Sequence, residues 1–310
     1  MSNILIIKHG SLGDLIQANG AIKDIKSFYK NRKVFLLTSS SYAIFMSECP
    51  YIDGVIIDKR LPRWNLFYLN NLKKILKRYN FSKVFDLQNS NRTKFYKRFV
   101  INSTEWCSAE STLEKDQKKS DFDKEPVLDR MELQLKKSGI ETEFTKNINL
   151  DWCLTDVSRL TKQYANNDYV LLFPFCSKKH VHKKWPYFKD LILRLKKDFK
   201  NKYPILLAPG PNEIDEAHEL NGRVILDNNN SVDIKTLISL ISNAKFIIAN
   251  DTGPAHIASH LDKKGIALFG SHTSAKKVSI EGYNFKALSV KNLNDLDVDT
   301  VLKEIKKKLN

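Results

Sequence analysis

Three short polar clusters in this chain carry groups that can hold an anion or move a proton. Asp251-Thr252-Gly253-Pro254 follows an apolar run at 246–249 and precedes a helical pattern at 256–261. Free backbone N–H groups at Thr252 and Gly253, backed by a helix dipole, suit a phosphate. Thr252 is placed to cap that helix, and Pro254 fits its first turn, where a missing N–H costs nothing. An ordinary capped strand–turn–helix without a ligand reads the same way. The second cluster, 177–186, is SKKHVHKKWP. A flexible ammonium on such a loop meets a phosphate as a point charge, and Lys179, Lys183 and Lys184 all qualify. The third, 8–14, is KHGSLGD. Gly10 and Gly13 let the backbone turn tightly and approach a ligand. The Asp14 carboxylate can accept a proton from a hydroxyl, or it can simply stabilise the first turn of the helix that follows.

The surrounding pattern says what positions these clusters. Apolar runs at 4–7, 34–38, 55–58 and 84–87 alternate with helical spacing at 15–28, 42–48 and 66–79. That alternation predicts a parallel sheet with right-handed crossovers. The same rhythm returns with strands at 169–174, 205–208, 224–226, 246–249, 266–270 and 285–290, and helices at 187–199, 213–220, 234–241 and 295–309. Each cluster therefore follows the carboxyl end of a strand, where open parallel sheets bind ligands. Residues 110–124 are polar and aperiodic and predict a long loop. A helix around 127–135 closes the first half, and 151–167 links the two. The 8–14 turn has neither GxGxxG nor G-K-[ST], so a dinucleotide site and a Walker loop are both unsupported.

A chain of 310 residues suggests two domains, and 42% hydrophobic content is enough for two cores. The four cysteines, Cys49, Cys107, Cys153 and Cys176, form no CxxC pair, which points to reduced thiols rather than zinc or disulfides. Residues 1–3 lead straight into an apolar run, and no run approaches a membrane span, so a soluble cytoplasmic protein is expected. A net charge of +16 favours polyanionic partners: nucleic acid, anionic lipid or phosphorylated substrates. A lysine-rich solvated surface gives the same figure. Arg60, Arg63, Arg92, Lys94, Lys97 and Arg98 lie near predicted strand ends, where they can contact an anion or merely be solvated. His9, His180, His182, His260 and His272 show no metal spacing, and no metal is expected.

Four motifs, in order, resemble glycosyltransferase family 9, the bacterial heptosyltransferase-like enzymes of lipopolysaccharide synthesis. They are S-x-G-D (Ser11, Gly13, Asp14), K-x-W-P (Lys183, Trp185, Pro186), G-x-x-E (Glu213) and D-[ST]-G-x-x-H-x-A (Asp251, Thr252, Gly253, His256, Ala258), the last followed by Leu268-Phe269-Gly270. The resemblance covers almost the whole chain. It implies the GT-B architecture, two Rossmann-like α/β domains with parallel sheets facing a central cleft. Residues 1–155 would form the acceptor-side domain and 156–310 the nucleotide-sugar domain, with the last helix packing back towards the first.

The chemistry implied is inverting transfer without a metal or other cofactor. Asp14 would be the general base, Lys183 would pair with the donor diphosphate, and Glu213 would bind the nucleotide ribose. Asp251, Thr252, Gly253 and His256 would lie at the donor. Without the resemblance, Glu213 reads equally as an acid in a first helical turn, and His256 as a core hydrogen-bonding residue. The implied donor is ADP-L-glycero-D-manno-heptose and the acceptor a lipopolysaccharide inner core, met at the cytoplasmic face of the inner membrane. Two departures stand out: Gly20 where family members often have Pro, and Phe175-Cys176-Ser177 where small residues are frequent. Other readings are another nucleotide sugar, nucleotide binding without turnover, and nucleic-acid binding. No zinc-finger spacing, RNP-like signature or basic arm supports the last.

Overall fold

Residues 4–7 are completely buried because they form the middle strand of a five-stranded parallel sheet. The computed structural model describes residues 2–102, 104–165 and 168–309. The chain divides into two units, one ending at Trp152 and the other starting at Cys153.

The first unit runs β1 (Asn3–Ile7), α1 (Leu12–Phe28), β2 (Val34–Thr38), α2 (Ser40–Ser47), β3 (Gly54–Ile57), α3 (Leu66–Lys77), β4 (Phe81–Asp86), α4 (Asn91–Phe99) and β5 (Glu105–Cys107), then α5 (Ala109–Thr112), α6 (Lys119–Phe122) and α7 (Val127–Lys137). The strand order is β3-β2-β1-β4-β5, every pair parallel. Helices on the sheet faces explain why the inner strands are continuous apolar runs rather than alternating ones. Leu5, Ile7, Val84, Leu72, Leu76 and Tyr96 share one such core.

Three local expectations need correction. Gly13 is not a turn residue but lies in the first turn of α1; Gly10, with φ of +105°, makes the turn. Residues 91–99 form a helix, α4, that its polar, cation-rich sequence concealed, and β5 is only three residues long. The 110–124 segment is not one loop. It holds the end of α5 and all of α6, anchored by buried Thr112 and Phe122.

Gly20 has a packing reason. Segment 143–145 crosses α1 so closely that a Cβ on Gly20 would collide with the Phe144 carbonyl oxygen. One turn on, buried Asp24 accepts hydrogen bonds from the N–H groups of Glu143 at 3.0 Å, Phe144 at 3.0 Å and Thr145 at 2.8 Å, and from the Thr145 hydroxyl at 2.6 Å. A proline ring has no room there.

The second unit runs α8 (Ser158–Thr161), β6 (Val170–Phe173), α9 (Phe188–Asp198), β7 (Ile205–Leu207), α10 (Ile214–His218), β8 (Arg223–Val224), α11 (Ile234–Asn243), β9 (Phe246–Asn250), α12 (Gly253–His260), β10 (Gly265–Phe269), β11 (Phe285–Ser289) and α13 (Val298–Leu309). Its parallel sheet is ordered β11-β10-β9-β6-β7-β8. Trp185, Phe188, Leu191, Ile248, Leu268 and Ile305 belong to one core, and α13 packs on α9 and β10. Of the expected link, Asn166 and Asn167 lie outside the described residues. Among the described residues the four cysteines form no disulfide, and no helix is long and apolar enough to cross a membrane.

Candidate functional site

In the second sheet β6 and β9 are neighbours, yet the chain leaves them in opposite directions, from β6 to β7 and from β9 to β10. Such a switch point opens a crevice beyond the carboxyl ends of the two strands. The two loops that border it carry the K-x-W-P and D-T-G residues.

Trp185 fixes the first loop. Its ring is fully buried, its Nε1–H donates to the Leu296 carbonyl at 2.8 Å, and its backbone N–H donates to Asn250 Oδ1 at 3.1 Å. Asn250, the last residue of β9, donates in turn to the Pro174 carbonyl at 2.8 Å. The cationic loop is thus bolted to the strand that carries Asp251. Two residues before Trp185, Lys183 places its ammonium 2.7 Å from Asp251 Oδ2. Of the other candidate lysines, Lys184 pairs with Glu216 and Lys179 is exposed.

Asp251 is 3% exposed and gathers more than Lys183. His272 Nε2 lies 2.8 Å from the same oxygen, and His256 Nε2 lies 3.9 Å from Oδ1. Burial pushes the Asp251 carboxyl up. The hydrogen bond and charge of Lys183, helped by the two imidazoles, outweigh that and hold it below the usual carboxylate range. His272 also meets the His182 ring at 5.2 Å between centroids. Sequence reasoning gave His272 no role. Its place two residues beyond Gly270, at the end of β10, was the available signal.

Helix α12 begins at Gly253 with Pro254 in its first turn and Thr252 as its N-cap residue, as expected, but the Thr252 side chain makes no capping hydrogen bond. Its hydroxyl turns back to the Asn250 carbonyl at 3.3 Å, and no side chain caps the helix. The Ala255 and His256 N–H groups donate to the Thr252 carbonyl and Pro254 has none, so the Gly253 N–H and the helix dipole are what suit an anion at this end. Glu213 immediately precedes α10 and folds back, accepting from the Gly210 N–H at 2.8 Å. Burial pushes its carboxyl up, against that hydrogen bond. Cys176 feels the charges of Lys184, Glu213, Glu216 and Lys183, so these groups share one neighbourhood at the ends of β6 and β7.

The first sheet has its own switch point, between β1 and β4. The S-x-G-D turn lies there. Ser11 is the N-cap residue of α1, and Asp14 Oδ2 accepts from the Ser11 N–H at 2.7 Å and hydroxyl at 3.1 Å. The Asp14 side chain nevertheless remains 40% exposed. Buried Lys8, which sequence reasoning passed over, donates to the Leu87 carbonyl at 3.0 Å and stands 3.8 Å from Asp14 Oδ1. Burial pushes the Lys8 ammonium down, with Asp14 and Asp86 opposing. Arg130 is also within electrostatic reach of Asp14.

A second buried group was not foreseen. Asp58, fully buried after β3, lies 2.8 Å from His9 Nε2 and accepts from the Tyr96 hydroxyl at 2.7 Å, the Arg60 N–H at 2.7 Å and the Tyr68 hydroxyl. Of the basic residues that could contact an anion or merely be solvated, Arg92 donates to the Arg60 and Leu61 carbonyls and the Tyr96 hydroxyl, while Lys94 and Lys97 pair with Glu110. Arg60, Arg63 and Arg98 stay exposed. Asp-x-Asp spacings occur at 121–123, 295–297 and 297–299. Asp121 and Asp123 pair with Lys124 and Lys119, and Asp297 accepts from the Thr300 N–H at the start of α13.

Two Rossmann-like units with parallel sheets, each presenting polar loops at its switch point, define a GT-B protein. The chain belongs to glycosyltransferase family 9 (heptosyltransferase), whose family model matches residues 69–298. Lys183, Glu213 and the 251–256 cluster fall inside that match, and the Ser11–Asp14 turn lies before it. Among solved structures, the fold is similar to the E. coli heptosyltransferase WaaC with ADP, at 17% identity and TM-score 0.72 over 99% of both chains. It is also similar to the glycosyl transferase family 9 protein from Veillonella parvula, at 15% identity and TM-score 0.76 over 99% of this chain and 97% of that one. The UDP-GlcNAc 2-epimerase from Methanocaldococcus jannaschii shares the fold at 14% identity and TM-score 0.64, over 100% and 93% of the chains. No curated protein matches in sequence.

Proposed function

We propose that this glycosyltransferase moves a heptose from ADP-heptose to a lipopolysaccharide core or related anionic surface glycan, with inversion and without a metal. The observation that carries this reading is the Lys183–Asp251 pair beside the N-terminus of α12 at a sheet switch point. A donor diphosphate seated there would meet an ammonium and a helix dipole, which supply the positive charge a leaving nucleoside diphosphate requires. Glu213 offers two oxygens to the vicinal hydroxyls of the ribose, and His256 lies beside Asp251 on the donor side. Asp14 takes the proton of the acceptor hydroxyl as its oxygen attacks the anomeric carbon. The bond from that carbon to the phosphate oxygen breaks in the same step, and its electron pair leaves with ADP. Inversion follows from a single displacement. A glycolipid acceptor would bring the protein to the cytoplasmic face of a membrane.

The test is ADP release from ADP-heptose in the presence of a lipopolysaccharide-core acceptor, with the native chain and Asp14→Asn side by side. An asparagine oxygen can still accept from Ser11, so the helix start survives. Acceptor-dependent turnover should fall about 10²- to 10⁴-fold in the variant while ADP affinity stays put. Equal turnover in both proteins removes Asp14 as the base. No turnover with tight ADP binding shifts the reading to other donor sugars on the same nucleotide and to other acceptors.

A further inference from the structure

The 59–67 segment, KRLPRWNLF, exposes side chains that a soluble surface ordinarily hides. Trp64 is 83% exposed, Leu66 74% and Phe67 86%, with Leu61 and Phe99 also in solvent. A cluster of large apolar groups of this kind marks an interaction site. The tip is nonetheless built rather than frayed. Asp58 accepts from the Arg60 N–H, and Arg92 reaches the Arg60 and Leu61 carbonyls at 3.0 and 2.8 Å. The Leu66 N–H donates to the Trp64 carbonyl at 2.9 Å, and Asn65 caps the Tyr68 N–H, also at 2.9 Å. Buried Asp58 and its tyrosines thus hold the apolar residues outward.

Charge decides what the tip meets. Between residues 59 and 104 the chain carries 12 lysines and arginines and a single acid, Asp86, which is buried. Lys59, Arg60, Arg63 and Arg98 are exposed around the tip. Such a collar repels a second copy of the same face. Nucleic acid would use the cations but leave Leu66 and Phe67 without an apolar host. We propose that this surface docks on an anionic lipid bilayer, with Trp64, Leu66 and Phe67 entering the headgroup–acyl boundary and the cations meeting lipid phosphates. Tryptophan favours that depth, and the two forces together give the two signals that stable peripheral binding needs. This deepens the membrane setting of the proposed acceptor, but vesicle binding is read without turnover, so a failure of the transfer assay leaves it untouched.

The experiment is vesicle flotation with the purified full chain, on phosphatidylcholine alone and with roughly 30% phosphatidylglycerol, a composition chosen to give a strongly negative surface. The native protein should float with the anionic vesicles, at least about tenfold better than with the neutral ones, and salt should release it. W64S/F67S should lose about tenfold or more of the partitioning, and R60S/R63S a comparable amount. Both pairs are exposed, and unchanged circular dichroism verifies the fold. Trp64 emission should shift to the blue on binding, since Trp106 and Trp185 are already buried and Trp152 is half-buried, and W64F, which keeps those three, should bind without that change. Native protein left below the gradient overturns the proposal. So does W64S/F67S floating as well as native, which leaves charge alone. Concentration-dependent dimers abolished by W64S/F67S, without vesicle binding, would assign the surface to a second copy instead.

Discussion

Removing the Lys183 charge is the most informative perturbation of the second unit, because it separates what the lysine does for the fold from what it does for a ligand. Lys183→Met keeps length and volume but leaves Asp251 buried, with His272 at 2.8 Å as the nearest remaining partner. Unit charges 2.7 Å apart attract by about 6 kcal/mol at an effective dielectric of 20. Desolvation of both groups offsets much of that, and the Lys183 side chain is 23% exposed. Breaking a buried pair from one side costs about 3–5 kcal/mol, and the surviving imidazole contact favours the lower end, about 3 kcal/mol.

The double variant K183M/D251N removes the stranded charge and should recover about 2 kcal/mol of that loss, a coupling typical of groups in contact. Hydrogen exchange on peptides from 246–260 in rising urea reads this in the second unit alone. The pH dependence has a defined sign. In the native chain Asp251 titrates lower folded than unfolded, so its stabilisation is present above about pH 4 and fades as pH falls through the folded value. In K183M the hydrogen bond and charge that outweigh burial are gone, burial prevails, the shift reverses, and acid should restore stability instead. Transfer should fall by about 10²-fold or more in both variants, since the stability rescue returns no ammonium to the phosphates. A K183M chain as stable as native, or strictly additive effects in the double variant, would refute the pairing argument.

Three further outcomes follow from the packing. Trp185→Ala should cost about 3–5 kcal/mol, because a fully buried ring and its bond to Leu296 both vanish; calorimetry measures it, and ADP affinity should drop as the Lys183 loop loosens. Gly20→Ala should destabilise the first unit by about 1–3 kcal/mol through the clash with Phe144, visible as a lower urea midpoint. Asp58 is pushed up by burial, but His9, Tyr68 and Tyr96 more than reverse this and hold it well below the usual range. Its contribution should therefore be intact at neutral pH and decline as pH drops below about 4, and Asp58→Asn should abolish that part of the acid sensitivity in thermal melts.

What could be read from the sequence divides along a physical line. The inner strands were legible because a parallel strand buried on both faces writes itself as a continuous apolar run, as at 4–7 and 246–249. Strand β5 was not, since Glu105-Trp106-Cys107 is too short to carry a period. Helix α4 was hidden for another reason. NRTKFYKRF buries little beyond Thr93 and Tyr96, and a Ser90–Thr93 capping box starts it. Its stability comes from contacts made after folding, which no local pattern records. Gly20 behaved alike: the demand for a missing side chain is set by Phe144, more than a hundred residues away.

The site separates the same way. Lys183, Asp251, Glu213 and Asp14 were visible because each lies in the segment that follows a strand, and within the second sheet the topology sets the ends of β6 and β9 side by side. His272 and the His9–Asp58–Tyr68–Tyr96 group were invisible because their logic is pairwise and distant: His9 meets Asp58 across 49 positions and Tyr96 meets Asp58 across 38. A carboxylate that must be buried recruits donors from whichever elements pack over it, and sequence spacing does not constrain which those are. Both buried aspartates do the same mechanical task. Asp251 ties a cationic loop to the end of β9, and Asp58 ties a cationic, apolar tip to the end of β3. In each unit a rigid sheet edge presents positive charge through an acid that is itself withheld from solvent. At these two points the acids are buried while the loops they hold carry cations, so part of the +16 reflects placement as well as composition.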